Sequence, residues 1–165
     1  MLKFIGTAPT GAGAGAVASE VMQLIDVAGF AAGTPLRASA YVNRVSGDSQ
    51  TDTSFSLFLQ AYSGSPADFP SVINNPIDGT QVFFDSDGDE STWERIETET
   101  FLLPAGADYL ELRFLAIENV FNDGVLPEFD GHYGDAVSVL VIPEPTTSTL
   151  ALAALCLAMS RRRGF

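Results

Sequence analysis

The stretch that decides the fold is Phe55-Ser-Leu-Phe-Leu-Gln-Ala-Tyr62, where apolar and polar positions alternate. One side carries Phe55, Leu57, Leu59 and Ala61, and the other carries Ser56, Phe58, Gln60 and Tyr62. Because successive side chains of an extended strand point to opposite faces, this pattern predicts a β-strand with one face in a core. Ser63-Gly64-Ser65-Pro66 follows directly, and its composition is typical of a turn.

The same alternation recurs on both sides of this strand. We expect further strands at 17–27, 36–43, 80–84, 93–101, 110–116 and 136–142. Short strands separated by turn residues, without helical periodicity between them, indicate an all-β antiparallel sandwich. The sequence therefore predicts three zones: a flexible N-terminal segment at 1–16, a β-sandwich domain at 17–142 and a distinct tail at 143–165.

Charge is distributed unevenly along the 165 residues. The formal net charge is -13, and Arg161, Arg162 and Arg163 supply three of the eight basic residues, while all 21 acidic residues precede them. Such an acidic body repels phosphate backbones, so we expect no nucleic-acid binding. The single cysteine, Cys156, and the single histidine, His132, exclude an intramolecular disulfide and thiolate zinc sites. We expect His132 to be a solvated loop residue, because glycines flank it.

The tail combines three features in a fixed order. Pro143, Glu144 and Pro145 disfavour a helix and leave an extended strip. An uncharged run of strong helix formers follows: Leu150, Ala151, Leu152, Ala153, Ala154, Leu155, Cys156, Leu157, Ala158 and Met159. The arginine cluster then acts as a cytoplasmic stop. As a helix, 146–160 is about 22 Å long at about 1.5 Å per residue, against about 30 Å of hydrocarbon, which suits a transient membrane helix better than a permanent anchor.

This tail is very similar to the PEP-CTERM sorting signal, which has a Pro-Glu-Pro motif, a short hydrophobic helix and a terminal arginine cluster. The resemblance implies that an exosortase recognises the motif at Pro143, Glu144 and Pro145 and cleaves near it. It also implies an exported bacterial protein, inserted in the membrane through the tail and then delivered to the cell envelope or extracellular matrix.

The body resembles the jelly-roll, galactose-binding-like modules of secreted bacterial proteins. The similarity is carried by Ile25-Asp26-Val27, by Trp93 opening a late strand, by the run Pro104 to Phe114, and by Asp135 at the last strand. It implies a jelly-roll sandwich with Trp93 in the core, although sugar stacking on Trp93 is an alternative. It also leads us to expect the module's first strand ahead of Met1, and the export that the tail requires leads us to expect a leader there. The alternative is a simple Gly/Ala-rich entry segment.

Two candidate ligand sites stand out, and neither is catalytic. Tyr41, Phe58, Tyr62 and Arg113 alternate outward from the predicted strands, where they form either a shallow glycan-binding face or ordinary sheet surface. Asp85, Asp87 and Asp89 are oxygen ligands of the kind Ca²⁺ prefers. Their spacing departs from the EF-hand pattern, so an acidic hairpin turn is the alternative. We identify no nucleophile–base arrangement and expect no enzyme.

These observations favour a non-enzymatic structural or adhesive envelope protein. The first alternative is a carbohydrate-binding module for exopolysaccharide, and the second is a fragment of a secreted glycoside hydrolase. The exosortase, the membrane and extracellular polysaccharide are the expected partners.

Overall fold

The structure, a computed structural model, describes residues 1–4, 17–44, 53–86, 89, 91–118 and 132–143. These residues form nine strands, a 3-10 turn and one short helix. The strands are β1 (Leu2–Lys3), β2 (Val17–Asp26), β3 (Pro35–Arg44), β4 (Thr53–Tyr62), β5 (Asp78–Asp85), β6 (Glu94–Glu97), β7 (Phe101–Leu102), β8 (Tyr109–Glu118) and β9 (His132–Val141). The 3-10 turn (Pro66–Asp68) runs into α1 (Phe69–Val72), between β4 and β5.

The strands form two antiparallel sheets. The first sheet has the order β1-β9-β3-β6, with β7 also paired to β3, and the second has the order β2-β8-β4-β5. The predicted all-β antiparallel architecture is therefore confirmed. The predicted tail helix lies outside the described residues.

The core lies between the two sheets. The even-numbered apolar residues of β3 and β8 and the odd-numbered ones of β4 are fully or almost fully buried, as the alternation predicts. Phe55 and Phe114 stack across neighbouring strands, with ring centroids 6.2 Å apart. Each such buried side chain contributes about 1.5–3 kcal/mol to the hydrophobic driving force.

The amino-terminal residues belong to the first sheet. Phe4 is buried, its ring lies edge-on to Phe114 at 5.1 Å, and its N–H donates to the carbonyl of His132 at 3.0 Å. The predicted flexible segment at 1–16 thus begins with four ordered residues, because Phe4 fills a gap between the sheets. Residues 5–16 lie outside the described residues.

Strand β9 begins earlier than the alternation predicts. His132 is only 2% exposed, so the prediction of a solvated loop histidine is wrong. The reason is that His132 and Gly134 share the inward face of β9, where the imidazole lies 6.2 Å from the Phe55 ring. A Cβ on Gly134 would come within 2.2 Å of Phe114 Cε1, so this close approach requires glycine.

A β-bulge interrupts β9 just after this point. Its register with β3 shifts between Ser39, which faces Ser138, and Tyr41, which faces Asp135. Ala136 has a positive φ of 49° at the bulge. The extra residue changes which β9 side chains point inward, from even positions before the bulge to odd positions after it.

Candidate functional site

The outer face of the second sheet brings aromatic and charged side chains together. Phe58 of β4 lies directly opposite Arg113 of β8, and the guanidinium carbon lies 4.6 Å from the centre of the Phe58 ring. Phe83 of β5 meets Phe58 edge-on, with the ring centroids 5.9 Å apart. Phe83 is 59% exposed, so one aromatic ring of this group is freely accessible. We call Phe58, Phe83 and Arg113 the aromatic face.

Polar groups lie beside the aromatic face. A cavity of about 230 Å³ lies beside it and is lined by Gln60, Gly79, Thr80 and Gln81. Gln81 sits opposite Phe58 in the β4–β5 ladder, and Gln60 sits opposite Gly79. Amide groups next to an accessible ring and a cation are suited to a ligand that has both hydroxyls and apolar C–H surface.

A buried carboxylate, Glu111, lies beside the aromatic face on the same side of the second sheet, two residues from Arg113 in β8. Glu111 is 0% exposed, and its Oε1 lies 3.2 Å from Arg113 Nε without the alignment of a hydrogen bond. The Tyr62 hydroxyl donates to Glu111 Oε2 at 3.0 Å. Burial raises the pKa of Glu111, and the Arg113 charge and the Tyr62 hydrogen bond offset only part of that rise. We call Tyr62, Glu111 and Arg113 the Tyr62–Glu111 cluster.

Tyr62 is itself held in place on several sides. Its hydroxyl lies 3.1 Å from Gln60 Oε1 and 2.9 Å from the carbonyl of Ile73, so its single proton has alternative acceptors besides Glu111. Burial, followed by the charge of Glu111, raises the pKa of Tyr62. Its ring stacks on Tyr109, with the centroids 5.5 Å apart.

The segment after β4 covers this cluster. Ser65 caps the 3-10 turn by accepting the N–H of Ala67 at 3.2 Å, and Asp108 accepts the N–H of Gly64 at 2.6 Å. Phe69 of α1 then packs edge-on against Tyr62, at 5.3 Å. The covering segment shields Tyr62, and Glu111 beside it is fully buried, which explains the direction of both pKa shifts.

The four residues of the predicted ligand face fall in different surroundings. Phe58 and Arg113 form part of the aromatic face, whereas Tyr62 is only 1% exposed beneath the cover. Tyr41 lies in β3, on the outer face of the first sheet, opposite Arg95. Phe83 is a further member of the aromatic face that was not among the predicted site residues. The alternation in 80–84 was the available signal, because it places Phe83 on the opposite side of the strand from Val82 and Phe84.

Trp93 lies away from this region. It is 43% exposed and is not part of the core, so the prediction that it packs in the core is wrong. The buried residue of β6 is Ile96, and Trp93 has the opposite parity and therefore points outward. The predicted strand at 93–101 is divided into β6 and β7, because Thr98 between them accepts the N–H of Ala38 at 3.0 Å through its hydroxyl.

The acidic turn is described only in part. Asp89 accepts the N–H of Ser91 at 2.9 Å and its hydroxyl at 2.6 Å, and these hydrogen bonds lower the pKa of Asp89. Asp85 ends β5, and Asp87 lies outside the described residues. Among the described residues, no cluster of three or more histidine, cysteine or acidic side chains could hold a metal ion. The predicted Ca²⁺ site stays a prediction.

The predicted sorting motif begins where the described residues end. Ile142 still donates its N–H to the carbonyl of Pro35 at 2.9 Å, and Pro143 is exposed. Glu144, Pro145, the apolar run 150–159 and Arg161–Arg163 lie outside the described residues. Within the part of the chain that the structure describes, no helix has the length and apolar character needed to cross a membrane.

Comparison with known proteins adds no assignment: no family model matches this chain, and no curated protein matches it.

Proposed function

We propose that this chain is an exported, non-enzymatic jelly-roll β-sandwich of the bacterial cell envelope or extracellular matrix, sorted by an exosortase at Pro143, Glu144 and Pro145. The observation that carries the proposal is the order of motif, apolar run and arginine cluster at 143–163. The geometry supports it at the junction, since pairing to β3 ends at Ile142 and Pro143 is already exposed. A processing enzyme would thus reach the motif without unfolding β9.

The test of sorting is to express the full chain in bacteria with and without an exosortase. We expect a loss of mass and an envelope location only when the enzyme is present. Substituting Pro143, Glu144 and Pro145 by alanine should abolish both. The matched control replaces Thr147, Ser148 and Thr149 by alanine, which leaves the motif intact. Identical mass and location for all chains in both hosts would contradict the proposal.

A second function, carbohydrate binding, is favoured by one observation. The aromatic face combines the accessible Phe83 ring with Arg113, beside the polar cavity at Gln60 and Gln81. Aromatic rings pack against the C–H face of a sugar, and amide groups bind its hydroxyls. The ligand class this surface suits is a neutral or acidic extracellular polysaccharide, since Arg113 is the cation of the aromatic face.

Binding is tested by titrating the full chain with bacterial exopolysaccharide. Phe83→Ala should weaken binding at least about tenfold, as truncation of a central aromatic contact does. The matched control is Trp93→Ala, which removes an exposed aromatic side chain from the first sheet and should leave affinity unchanged. Equal losses for the two variants, or none for Phe83→Ala, would exclude the aromatic face as the binding surface.

A further inference from the structure

A groove opens between the two sheets along β2 and β9. It has a volume of about 220 Å³, and its apolar lining includes Ile25, Val27, Leu110, Val137, Val139 and Val141. Leu110 belongs to the buried core, whereas Val137 and Val139 are only partly buried against it and Val141 is 45% exposed. The hydrophobic core thus reaches the surface along this side of the sandwich.

One wall of the groove is an unpaired edge of β9. Strand β3 pairs with β9 on one side, and on the other side β1 pairs only with Tyr133 and Gly134. Among the described residues, none pairs with 136–141 on that side. The edge has the sequence Ala-Val-Ser-Val-Leu-Val, without a charge or a proline. Because such an edge attracts other strands unless a helix or loop covers it, we expect a cover here.

The chain passes from the sandwich toward its tail at one end of this groove. Val141 lines the groove, Ile142 is still hydrogen-bonded to β3, and Pro143 is exposed. Six residues, 144–149, separate this point from the apolar run 150–159. At about 3.3–3.6 Å per residue they reach at most about 20 Å, which is enough for the chain to turn back along the groove.

We propose that the groove is the docking site of the apolar run 150–159 in the unprocessed chain, and that the run lies over it as a helix directed from Val141 toward Val137. Such a helix is about 15 Å long at about 1.5 Å per residue. The β9 segment between Val137 and Val141 is about 14 Å long at about 3.4 Å per residue, so the two lengths match. Helical spacing places Leu152 and Leu155 on the same side of the helix, toward the groove.

Charge favours this direction of the helix. Glu20 of β2 and Asp135 of β9 lie at the end of the groove away from Val141, with side chains 47% and 52% exposed. The two strands come together there at Phe114, whose ring lies against Gly134 and whose partner in β2 is the residue after Glu20. The arginine cluster follows the apolar run, so this direction brings its positive charges toward both carboxylates.

The tether favours the chain's own run over a second copy or a lipid chain. Two copies would each bring a net charge of -13 to the contact, which opposes their approach. A short linker instead holds the run beside the groove at an effective concentration on the order of millimolar. The membrane competes with the groove for the same run, and docking keeps the run out of water until the chain meets a bilayer. Docking requires no exosortase, so it stands independently of the proposed sorting.

Cys156 is the single cysteine of the chain, so its thiol can report on docking. It follows Leu152 by four residues and therefore shares the docked side of the helix. Val139→Cys places a second thiol on the groove wall, and the matched control, Leu140→Cys, places one at the neighbouring position, which points outward and is 51% exposed. Both positions are nearly equally far from Cys156 along the chain, so an undocked run would react at least as readily with the control thiol.

The measurement is the rate at which the purified full chain forms an intramolecular disulfide in detergent-free buffer with oxidised glutathione. A disulfide requires the two Cα atoms to approach within about 7 Å. We expect Val139→Cys to react at least about tenfold faster than Leu140→Cys, because docking holds its thiol at a millimolar effective concentration.

A second pair of variants changes the run and leaves the sandwich intact. In the Val139→Cys chain, Leu152→Ser with Leu155→Ser removes apolar surface from the docked side of the helix. Leu150→Ser with Leu157→Ser makes the same chemical change on the opposite side. We expect the first combination to slow disulfide formation about tenfold, because it removes buried apolar surface, and the second to leave the rate close to that of Val139→Cys alone.

Three outcomes would overturn the proposal. The thiol introduced by Leu140→Cys could react as fast as that introduced by Val139→Cys, or faster. The two serine combinations could have equal effects. Alternatively, the disulfides could join two chains, which a non-reducing gel would show and which would assign the groove to a second copy. None of these results bears on the sorting experiment, because no exosortase is present.

Discussion

The outer faces of the two sheets carry similar kinds of residues in very different surroundings. On the first sheet, Arg37 contacts Glu97 at 2.6 Å, and Arg95 contacts the same carboxylate, with all three side chains partly exposed to solvent. On the second sheet, Tyr62 and Glu111 are almost fully buried under the segment that contains α1. Strand alternation places both groups on an outer face of the sandwich. The second group is buried because a covering segment lies over it, whereas the first group stays exposed.

This difference changes the energetic role of the polar contacts. An exposed ion pair contributes about 0–1 kcal/mol, because water already solvates both charges. A buried carboxylate is costly unless it keeps its partners. Contacts of the Tyr62–Glu111 cluster should therefore matter more for stability than those around Glu97, and four substitutions test this contrast.

The largest effect is expected from opening the cover. Phe69→Ala removes the ring that packs on Tyr62 and Tyr109, and we expect a loss of about 3 kcal/mol in the free energy of unfolding. Urea denaturation measures it. The control, Trp93→Ala just before β6, should cost less than about 1 kcal/mol because this side chain is 43% exposed. Equal losses would mean that the cover does not shield the second sheet.

A smaller effect is expected from removing one hydroxyl. Tyr62→Phe keeps the ring but leaves Glu111 without its hydrogen bond, so we expect a loss of about 1–3 kcal/mol. The matched change on the first sheet, Tyr41→Phe, should stay within about 0.5 kcal/mol. Thermal unfolding of both variants measures the two stability losses. Equal losses would show that the Tyr62 hydroxyl is solvated and not buried.

The charge of Glu111 makes the stability of the second sheet depend on pH. Because the folded-state pKa of Glu111 is raised above its ordinary value of 4.5, its favourable contribution is complete below that value and is lost as pH rises through the folded-state pKa. Glu111→Gln keeps an acceptor for Tyr62 without the charge. We therefore expect this variant to have a higher Tm than the parent at pH 7, with the difference vanishing near pH 4.

Measuring Tm across this pH range supplies the check, with Glu99→Gln on the exposed surface as the control. A Glu111→Gln variant that is less stable than the parent at pH 7 would show that the Arg113 charge outweighs burial.

The smallest effect is expected on the first sheet. Arg37→Gln breaks the contact with Glu97, and we expect a loss below about 1 kcal/mol that becomes smaller still in 0.5 M salt. Denaturation at low and high salt measures it. A loss as large as that of Tyr62→Phe would remove the distinction between the two outer faces.

Alternation along the chain was sufficient to predict the inward faces of β3, β4 and β8. It predicted the burial of Phe55, Leu57 and Phe114, because the two-residue period of a strand is a local property. It also placed Phe58 and Arg113 on an outer face. It could not show that they face each other directly, since Phe58 and Arg113 are 55 positions apart in the chain and meet only through the pairing of β4 with β8.

Three residues lie in surroundings other than those the sequence predicts. The sequence predicts His132 in solvent, but its backbone pairs with Phe4 and its imidazole lies beside the Phe55 ring. Trp93 was expected in the core, but its parity relative to Ile96 turns it outward. Tyr62 was expected on an open ligand face, but Phe69 covers it.

By itself, the sequence determined the β class of the body, its acidic charge and the motif order from which we propose sorting, since all three depend on neighbouring residues. Only the tertiary structure decided which polar groups are buried and where the groove opens between β2 and β9. Both depend on strand pairings between residues far apart in the chain, because burial and unpaired edges are properties of the assembled sheets.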